Sequence, residues 1–141
     1  MAQKITATLT LSSSAGATGA SNNMDIDLSV SDELTIAAPL QGLSTVIATA
    51  TGSGTIIKPA DTSISYLYIK HTGTTNGSTA TVRQVDVEFT TDEAIARLSA
   101  DEFLFMPVHH AEANVGVQLH VQHSSSDDVV QMEYAWFTKG A

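Results

Sequence analysis

Residues 5–11 read Ile-Thr-Ala-Thr-Leu-Thr-Leu, with an apolar side chain at every odd position and a threonine at every even position. This alternation with a period of two is typical of a β-strand that has one buried and one exposed face. Threonine is β-branched and suits the exposed face of a sheet. The segment therefore predicts an amphipathic strand.

Two tight connections are predicted in the first half of the chain. Residues 24–30 also alternate, and Ser31-Asp32-Glu33 is predicted to turn the chain into a second short strand at residues 34–36. Further on, residues 43–50 and 55–57 flank a Thr-Gly-Ser-Gly spacer, which indicates a hairpin.

The middle of the chain predicts further strands separated by turns. Residues 64–71 are apolar on nearly both faces, which indicates a central strand covered on each side. Asn76-Gly77 is a strong turn dipeptide, and residues 81–89 alternate after it. Residues 91–99 are compatible with a helical turn or with a short strand. We favour a strand at residues 94–98 because another apolar run follows immediately.

Two prolines are expected to end strands, because proline cannot donate a hydrogen bond to a sheet. Pro59 follows the second strand of the predicted hairpin, and Pro107 follows the apolar run 103–106. In the last third, residues 115–122 and 129–137 are predicted to form a hairpin around a polar loop. In total, nine or ten short strands and no convincing helix predict an all-β antiparallel sandwich or barrel.

The length of 141 residues fits a single domain, residues 1–141, with an ordinary hydrophobic core. Residues 1–4 are a candidate N-terminal arm, and no signal peptide is expected there. Residues 12–23 contain small residues without apolar bulk and are predicted to form a flexible loop.

The composition argues against several functions. The chain has no cysteine, which excludes disulfides, thiolate metal sites and cysteine nucleophiles. Fifteen acidic against six basic residues give a net charge of −9, which disfavours binding to nucleic acid. Because no apolar run approaches the roughly 20 residues of a membrane helix, we expect no membrane span.

The five histidines raise the question of a metal site. His109 and His110 with Glu112 form the best cluster, in a predicted loop, but we favour exposed or interface histidines over metal ligands. His120 and His123 are three residues apart, which in a strand places them on opposite faces. The sequence therefore predicts no cofactor, and a cupin-like metal- or ligand-binding sandwich remains an alternative.

Catalytic motifs are equally weak. The carboxylate pairs Asp25 with Asp27 and Asp86 with Glu88 each lie on the face opposite the core, which favours a solvated acidic surface over an acid–base pair. No serine lies in a Gly-x-Ser-x-Gly elbow, and no phosphate-binding glycine loop is present. We therefore expect that this protein is not an enzyme. Tyr134 and Trp136 share one face of the last strand and are predicted to lie in the core or at a subunit interface.

Several segments between residues 64 and 137 resemble small structural proteins of tailed-phage virions. Their pattern is Leu-Tyr-Ile-Lys-Asn-Thr-Gly, then Arg-Leu, Gly-Glu-Phe and proline. The matching residues here are Tyr66–Gly73, Val82–Phe89, Ala96–Leu98, Glu102–Pro107 and Glu133–Ala135. This chain has His71 where the pattern has asparagine and Asp101 where it has glycine.

The resemblance implies a jelly-roll-like, non-enzymatic virion protein, with a capsid decoration or cement protein as the leading interpretation. Such a subunit forms homo-oligomers, with trimers expected, and binds the major capsid protein or other virion proteins. The net charge of −9 fits the outer capsid surface better than a position beside packaged DNA. A tail, neck or baseplate protein is the alternative within the same class.

Overall fold

The computed structural model describes residues 3–12, 27–37, 42–50, 54–59, 63–89, 93–108, 116–122 and 128–140. Within these ranges the chain forms ten strands and no helix. The strands are β1 (Gln3–Ser12), β2 (Asp27–Ile36), β3 (Ser44–Thr49), β4 (Thr55–Lys58), β5 (Ser65–His71), β6 (Gln84–Phe89), β7 (Glu93–Leu98), β8 (Phe103–Val108), β9 (Val117–Gln122) and β10 (Val129–Thr138).

The strands form two sheets. β1 and β2 make a two-stranded antiparallel sheet, and the other strands make an eight-stranded sheet in the order β7-β6-β9-β3-β10-β5-β8, with β4 also paired to β9. The described pairings are antiparallel except for a single parallel contact between Thr49 and His120. This arrangement confirms the predicted all-β, sandwich-like fold and the predicted number of strands.

The hydrophobic core lies on one face of the eight-stranded sheet, which curves around it. Alternate residues of β5, β9 and β10 supply it, and Leu67, Ile69, Leu119 and Met132 are fully buried. Burying a side chain of this size stabilises a fold by roughly 1.5–3 kcal/mol. The core therefore belongs to the eight-stranded sheet, and β1 and β2 contribute to its margin only through Ile36.

Three predicted connections differ from the structure. No turn divides the second strand, because Ser31, Asp32 and Glu33 pair continuously with β1. β4 pairs with β9 instead of forming a hairpin with β3. β9 and β10 also form no hairpin, because β3 lies between them in the sheet. Alternation identifies a strand but carries no information about its partner, which explains the two differences in pairing.

The prolines behave differently from each other. β4 ends at Lys58, directly before Pro59, as predicted. Pro107 lies inside β8, so the expectation that it ends the strand is wrong. β8 is an edge strand paired only with β5 among the described residues, so a missing N–H is tolerated there.

Other predictions fall on well-described segments. β7 covers the segment 94–98, which confirms a strand there. β5 is fully buried on its core face but only half-buried on the other, so the predicted covering of both faces is incomplete. Gln3 and Lys4 of the candidate arm are paired within β1. Ser12 ends β1, and residues 13–23 of the predicted loop lie outside the described residues.

Candidate assembly surface

The β1–β2 hairpin has one apolar and one polar face, because directly paired residues of an antiparallel sheet share a face. Cross-strand pairs on the polar face include Thr6 with Glu33 and Thr8 with Ser31, whose hydroxyl oxygens are 3.0 Å apart. The apolar face consists of Ile5, Ala7, Leu9, Leu11, Leu28, Val30 and Leu34, with Asp32 as its one charged member.

Backbone hydrogen bonds fasten the hairpin to the rest of the chain at its base. The amide of Ala37 donates to the carbonyl of Thr138 over 2.9 Å, and the amide of Gly140 donates to the carbonyl of Thr35 over 3.0 Å. Away from this base the apolar side chains become exposed. Leu9 and Leu11 are 45% and 46% exposed, and Val30 is 52% exposed.

A second apolar surface lies on the outer face of the eight-stranded sheet. The register of β5, β8 and β10 places there Tyr66, Tyr68, Phe103, Phe105, Pro107, Ala135 and Phe137, with Lys70 and Glu133 as the charged members. The rings of Tyr66 and Phe105 are stacked with centroids 6.2 Å apart. Phe103 remains 61% exposed and Phe105 40% exposed. We call this face, together with the apolar face of the hairpin, the assembly surface.

A groove of about 630 Å³ separates the two parts of the assembly surface. Its hairpin side is formed by residues 5–9 of β1 and by Val30, Asp32 and Leu34 of β2. Its sheet side is formed by aromatic residues of β5 and β8 with Pro107. Because both walls are largely apolar, the groove exposes surface that water solvates poorly.

One polar interaction lies in the sheet wall of the groove. The hydroxyl of Tyr68 donates a hydrogen bond of 2.9 Å to Oε1 of Glu133. Burial, followed by this hydrogen bond and the charge of the carboxylate, raises the pKa of Tyr68 to about 12. The phenol is therefore neutral and serves as a fixed donor at neutral pH.

A separate polar cluster lies on the outer face of β6 and β9. The guanidinium of Arg97 binds Asp86 through two hydrogen bonds of 2.6 and 2.9 Å, which raises the pKa of Arg97. Glu88 accepts a hydrogen bond of 3.2 Å from the amide of Gln118 and has His120 Nδ1 at 3.7 Å. Asp86 and Glu88 are both buried, so the expected solvated acidic face is wrong at this pair.

The other carboxylate pair divides between the described and undescribed parts of the chain. Asp27 is exposed at the start of β2, whereas Asp25 lies outside the described residues. Asp86 is paired with the charge of Arg97, and Glu88 is held by the amide of Gln118. These contacts link β6 to its neighbours β7 and β9 in the eight-stranded sheet.

The turn after β5 is held by a buried histidine. Nε2 of His71 lies 2.8 Å from the carbonyl of Arg83 and must donate to it, so Nδ1 is the acceptor for the amide of Gly73 at 2.9 Å. Gly73 has φ of 75°, and a Cβ built there would lie 3.1 Å from Oδ1 of Asp101. Asp101 itself has φ of 68° and donates its amide to the carbonyl of His71.

The residues predicted as site candidates have mixed outcomes. Tyr134 and Trp136 lie on the core face of β10, half-buried against the core, and Nζ of Lys58 is 5.6 Å from the centre of the Trp136 ring. His109, His110 and Glu112 lie outside the described residues. In the part of the chain that is described, no group of three or more acidic or histidine side chains is arranged to hold a metal ion.

The assembly surface itself was not predicted. Its aromatic residues belong to strands, and the sequence pattern of a strand does not tell which of its two faces is covered. The sequence does contain one relevant pattern. Residues 5–11 and 24–30 both alternate and so predict two amphipathic strands, each of which has an apolar face that must be covered by something. Pairing them with each other leaves their apolar face outside the core.

Comparisons with known proteins do not place this chain in a family. No family model, no curated protein and no solved structure matches this chain. Among the described residues there is also no helix of sufficient length and apolarity to cross a membrane. The assembly surface and the sequence resemblance are therefore the two features of this chain that bear on its function.

Proposed function

We propose that this chain is a non-enzymatic structural subunit of a tailed-phage virion that decorates the outer capsid surface and stabilises the shell. The subunit acts by burying apolar surface at contacts with its own copies and with the major capsid protein. The resemblance implies a trimer for the homo-oligomer. A cement function of this kind requires a rigid fold with an exposed contact surface.

The assembly surface is the observation that carries the proposal. Contiguous exposed apolar surface is found at protein interaction sites and ligand-binding grooves. Here an aromatic sheet face and an apolar hairpin face both border one groove, and Phe103 is 61% exposed. Such a surface suits burial against another protein, where aromatic residues are enriched.

The geometry around His71 supports the resemblance. Where the pattern has asparagine, Nδ1 of His71 accepts the Gly73 amide two residues later, as an asparagine side-chain oxygen does in an Asx turn. Where the pattern has glycine, Asp101 adopts φ of 68°, a conformation that favours glycine. The residues at both departures therefore adopt conformations that asparagine and glycine also favour.

The test is binding to shells that lack decoration protein, isolated from the phage whose genome encodes this chain. We expect the purified chain to co-sediment with these shells and to raise their resistance to heat. Phe103→Asp is expected to abolish binding, whereas Val82→Asp is the matched control because Val82 is exposed and lies outside the assembly surface. Binding that survives Phe103→Asp would contradict the role of this surface.

Immunogold labelling of complete virions tests the location. Label distributed over the capsid supports a decoration protein. Label confined to the tail, neck or baseplate would retain a virion structural protein but overturn the capsid assignment. Absence of the chain from purified virions would overturn the whole proposal.

A further inference from the structure

The edge of β1 that faces away from β2 lacks the features that usually protect an exposed strand edge. Among the described residues β1 pairs only with β2, so its other edge offers unpaired backbone groups. From Ile5 to Ser12 this edge carries neither a charged residue nor a proline. Proteins usually protect exposed edges with lysine, proline or bulges, because an unprotected edge accepts another strand.

The free edge of β2 is less suited to pairing. Its base is already used, since Ile36 bridges to Lys139 and the amide of Gly140 donates to Thr35. The strand also contains Asp27, Asp32 and Glu33. Like charges brought opposite each other destabilise a strand pair, so two copies of β2 repel each other.

The groove runs along the β1 edge. Successive residues of a strand point to opposite faces, yet all of residues 5–9 border the groove. β1 therefore borders the groove continuously from residue 5 to residue 9, whereas β2 contributes only residues of the apolar face. An additional strand at this edge gains backbone hydrogen bonds and places alternate side chains over Phe103 and Phe105.

We propose that the strand bound at this edge is β1 of a second copy, paired antiparallel about a two-fold axis near Thr8. In this register Thr6 faces Thr10 of the second copy, and Lys4 faces Ser12, so no like charges meet. The threonines form cross-strand pairs on one face, and the apolar residues continue the apolar face on the other. The product is a four-stranded sheet over both grooves.

This pairing adds a specific contact to the proposed function. It rests on that function only in assuming that copies of the chain assemble with each other. A two-fold contact is isologous, with the same residues on both copies. It gives a dimer by itself. It is compatible with the trimer that the resemblance implies only where two trimers pair back to back.

The first experiment compares solution mass with and without a charge at the edge. We expect the full chain to be a dimer, or a larger even-numbered assembly, in light scattering across a concentration series. Thr8→Lys places two lysines opposite each other and is expected to raise the dissociation constant about tenfold. Ser31→Lys is the matched control, because Ser31 is the cross-strand neighbour of Thr8 on the same exposed face.

The second experiment uses the absence of cysteine from the chain. Thr8→Cys introduces a single thiol at the proposed axis, where the Cα atoms of facing residues are about 4.5–5.5 Å apart and permit a disulfide. Mild oxidation is expected to link Thr8→Cys into dimers and to leave Ser31→Cys as single chains. Both variants lose the same hydroxyl contact between β1 and β2, so a general loosening of the hairpin affects them equally.

Several outcomes overturn the inference. A single-chain mass at every concentration excludes the two-fold pairing, as does equal cross-linking of the two cysteine variants. A trimer without cross-linking at Thr8 also excludes it, while leaving the proposed virion function intact. The chain could also be a single chain in solution and lose shell binding in Thr8→Lys but not in Ser31→Lys. In that case the edge of β1 binds a strand of the shell protein and not a second copy.

One outcome separates the two proposals. A cross-linked dimer that is absent from virions supports the two-fold pairing and contradicts the virion function.

Discussion

β5 and the β1–β2 hairpin each have an apolar face, but only the inner face of β5 is fully buried. Leu67 and Ile69 of β5 are fully buried, whereas Leu9 and Leu11 of β1 are 45% and 46% exposed. The difference arises from position, because β5 lies between β10 and β8 and the hairpin forms a sheet of its own. An alternating sequence therefore encodes an apolar face, and the topology decides whether the same chain covers it.

The largest expected effect contrasts the two regions directly. Leu67→Ala leaves a cavity in the core and is expected to lower the free energy of unfolding by about 3 kcal/mol. Leu11→Ala removes a half-exposed side chain and is expected to lower it by less than about 1 kcal/mol. Urea denaturation followed by circular dichroism, at concentrations that keep the chains separate, measures both. Equal losses would mean that the hairpin face is buried within one chain.

The next effect concerns the histidine that holds the turn after β5. His71→Ala leaves the Gly73 amide and the Arg83 carbonyl without their partner and is expected to lower the free energy of unfolding by about 2 kcal/mol. His71→Asn retains an acceptor for Gly73 and is expected to recover part of this loss. The same denaturation assay applies. An asparagine variant no better than alanine would contradict the assigned hydrogen bond.

A smaller effect is expected at Gly73. Gly73→Ala imposes a Cβ on φ of 75° and brings it to 3.1 Å from Asp101, so the expected loss is about 1 kcal/mol. Gly42→Ala is the matched control, because a Cβ there has no heavy atom within 4 Å. We expect Gly42→Ala to leave the melting temperature unchanged or slightly raised. A similar fall in both variants would indicate a general intolerance of alanine.

The smallest effect is confined to high pH. The pKa of Tyr68 is raised from 10 to about 12, so the folded state holds the phenolic proton more tightly than the unfolded state. The resulting stabilisation is complete below pH 10 and is lost as the pH rises to 12. Glu133→Gln removes the charged acceptor and is expected to lower the pKa of Tyr68.

Ultraviolet titration measures this change in the tyrosine. The absorbance of ionised tyrosine is recorded against pH, and the Tyr68→Phe curve is subtracted to isolate the one phenol. Glu93→Gln serves as the control, because Glu93 is an exposed carboxylate on β7. A Tyr68 titration that is the same in Glu133→Gln and the parent chain would contradict the hydrogen bond.

The strands could be predicted from the sequence because period-two alternation is local. β7 was recognised despite its acidic flank, and the Asn76-Gly77 turn is present, with Gly77 at φ of 87°. Which strands pair with each other could not be predicted. β4 pairs with β9, some 60 residues later in the sequence, and β3 lies between β9 and β10. These contacts depend on how the whole sheet curves, which no short segment specifies.

Burial of the outer face could not be predicted either. Asp86 alternates with core residues as an exposed residue does, but Arg97 on the neighbouring strand covers and pairs with it. Phe103 begins the apolar run 103–106, yet it lies on the outer face and is exposed. In both cases the neighbouring strand decides the environment, so the candidate surface became visible only with the register.

The central place of β10 has a consequence for the order of synthesis. β10 follows the other nine described strands in sequence and fills the gap between β3 and β5. On a ribosome, the β1–β2 hairpin can pair as soon as its own residues emerge, whereas the eight-stranded sheet must wait for residues 129–138. Until then the inner edges of β3 and β5 are open to wrong partners, so the nascent chain is vulnerable to misassembly until β10 emerges.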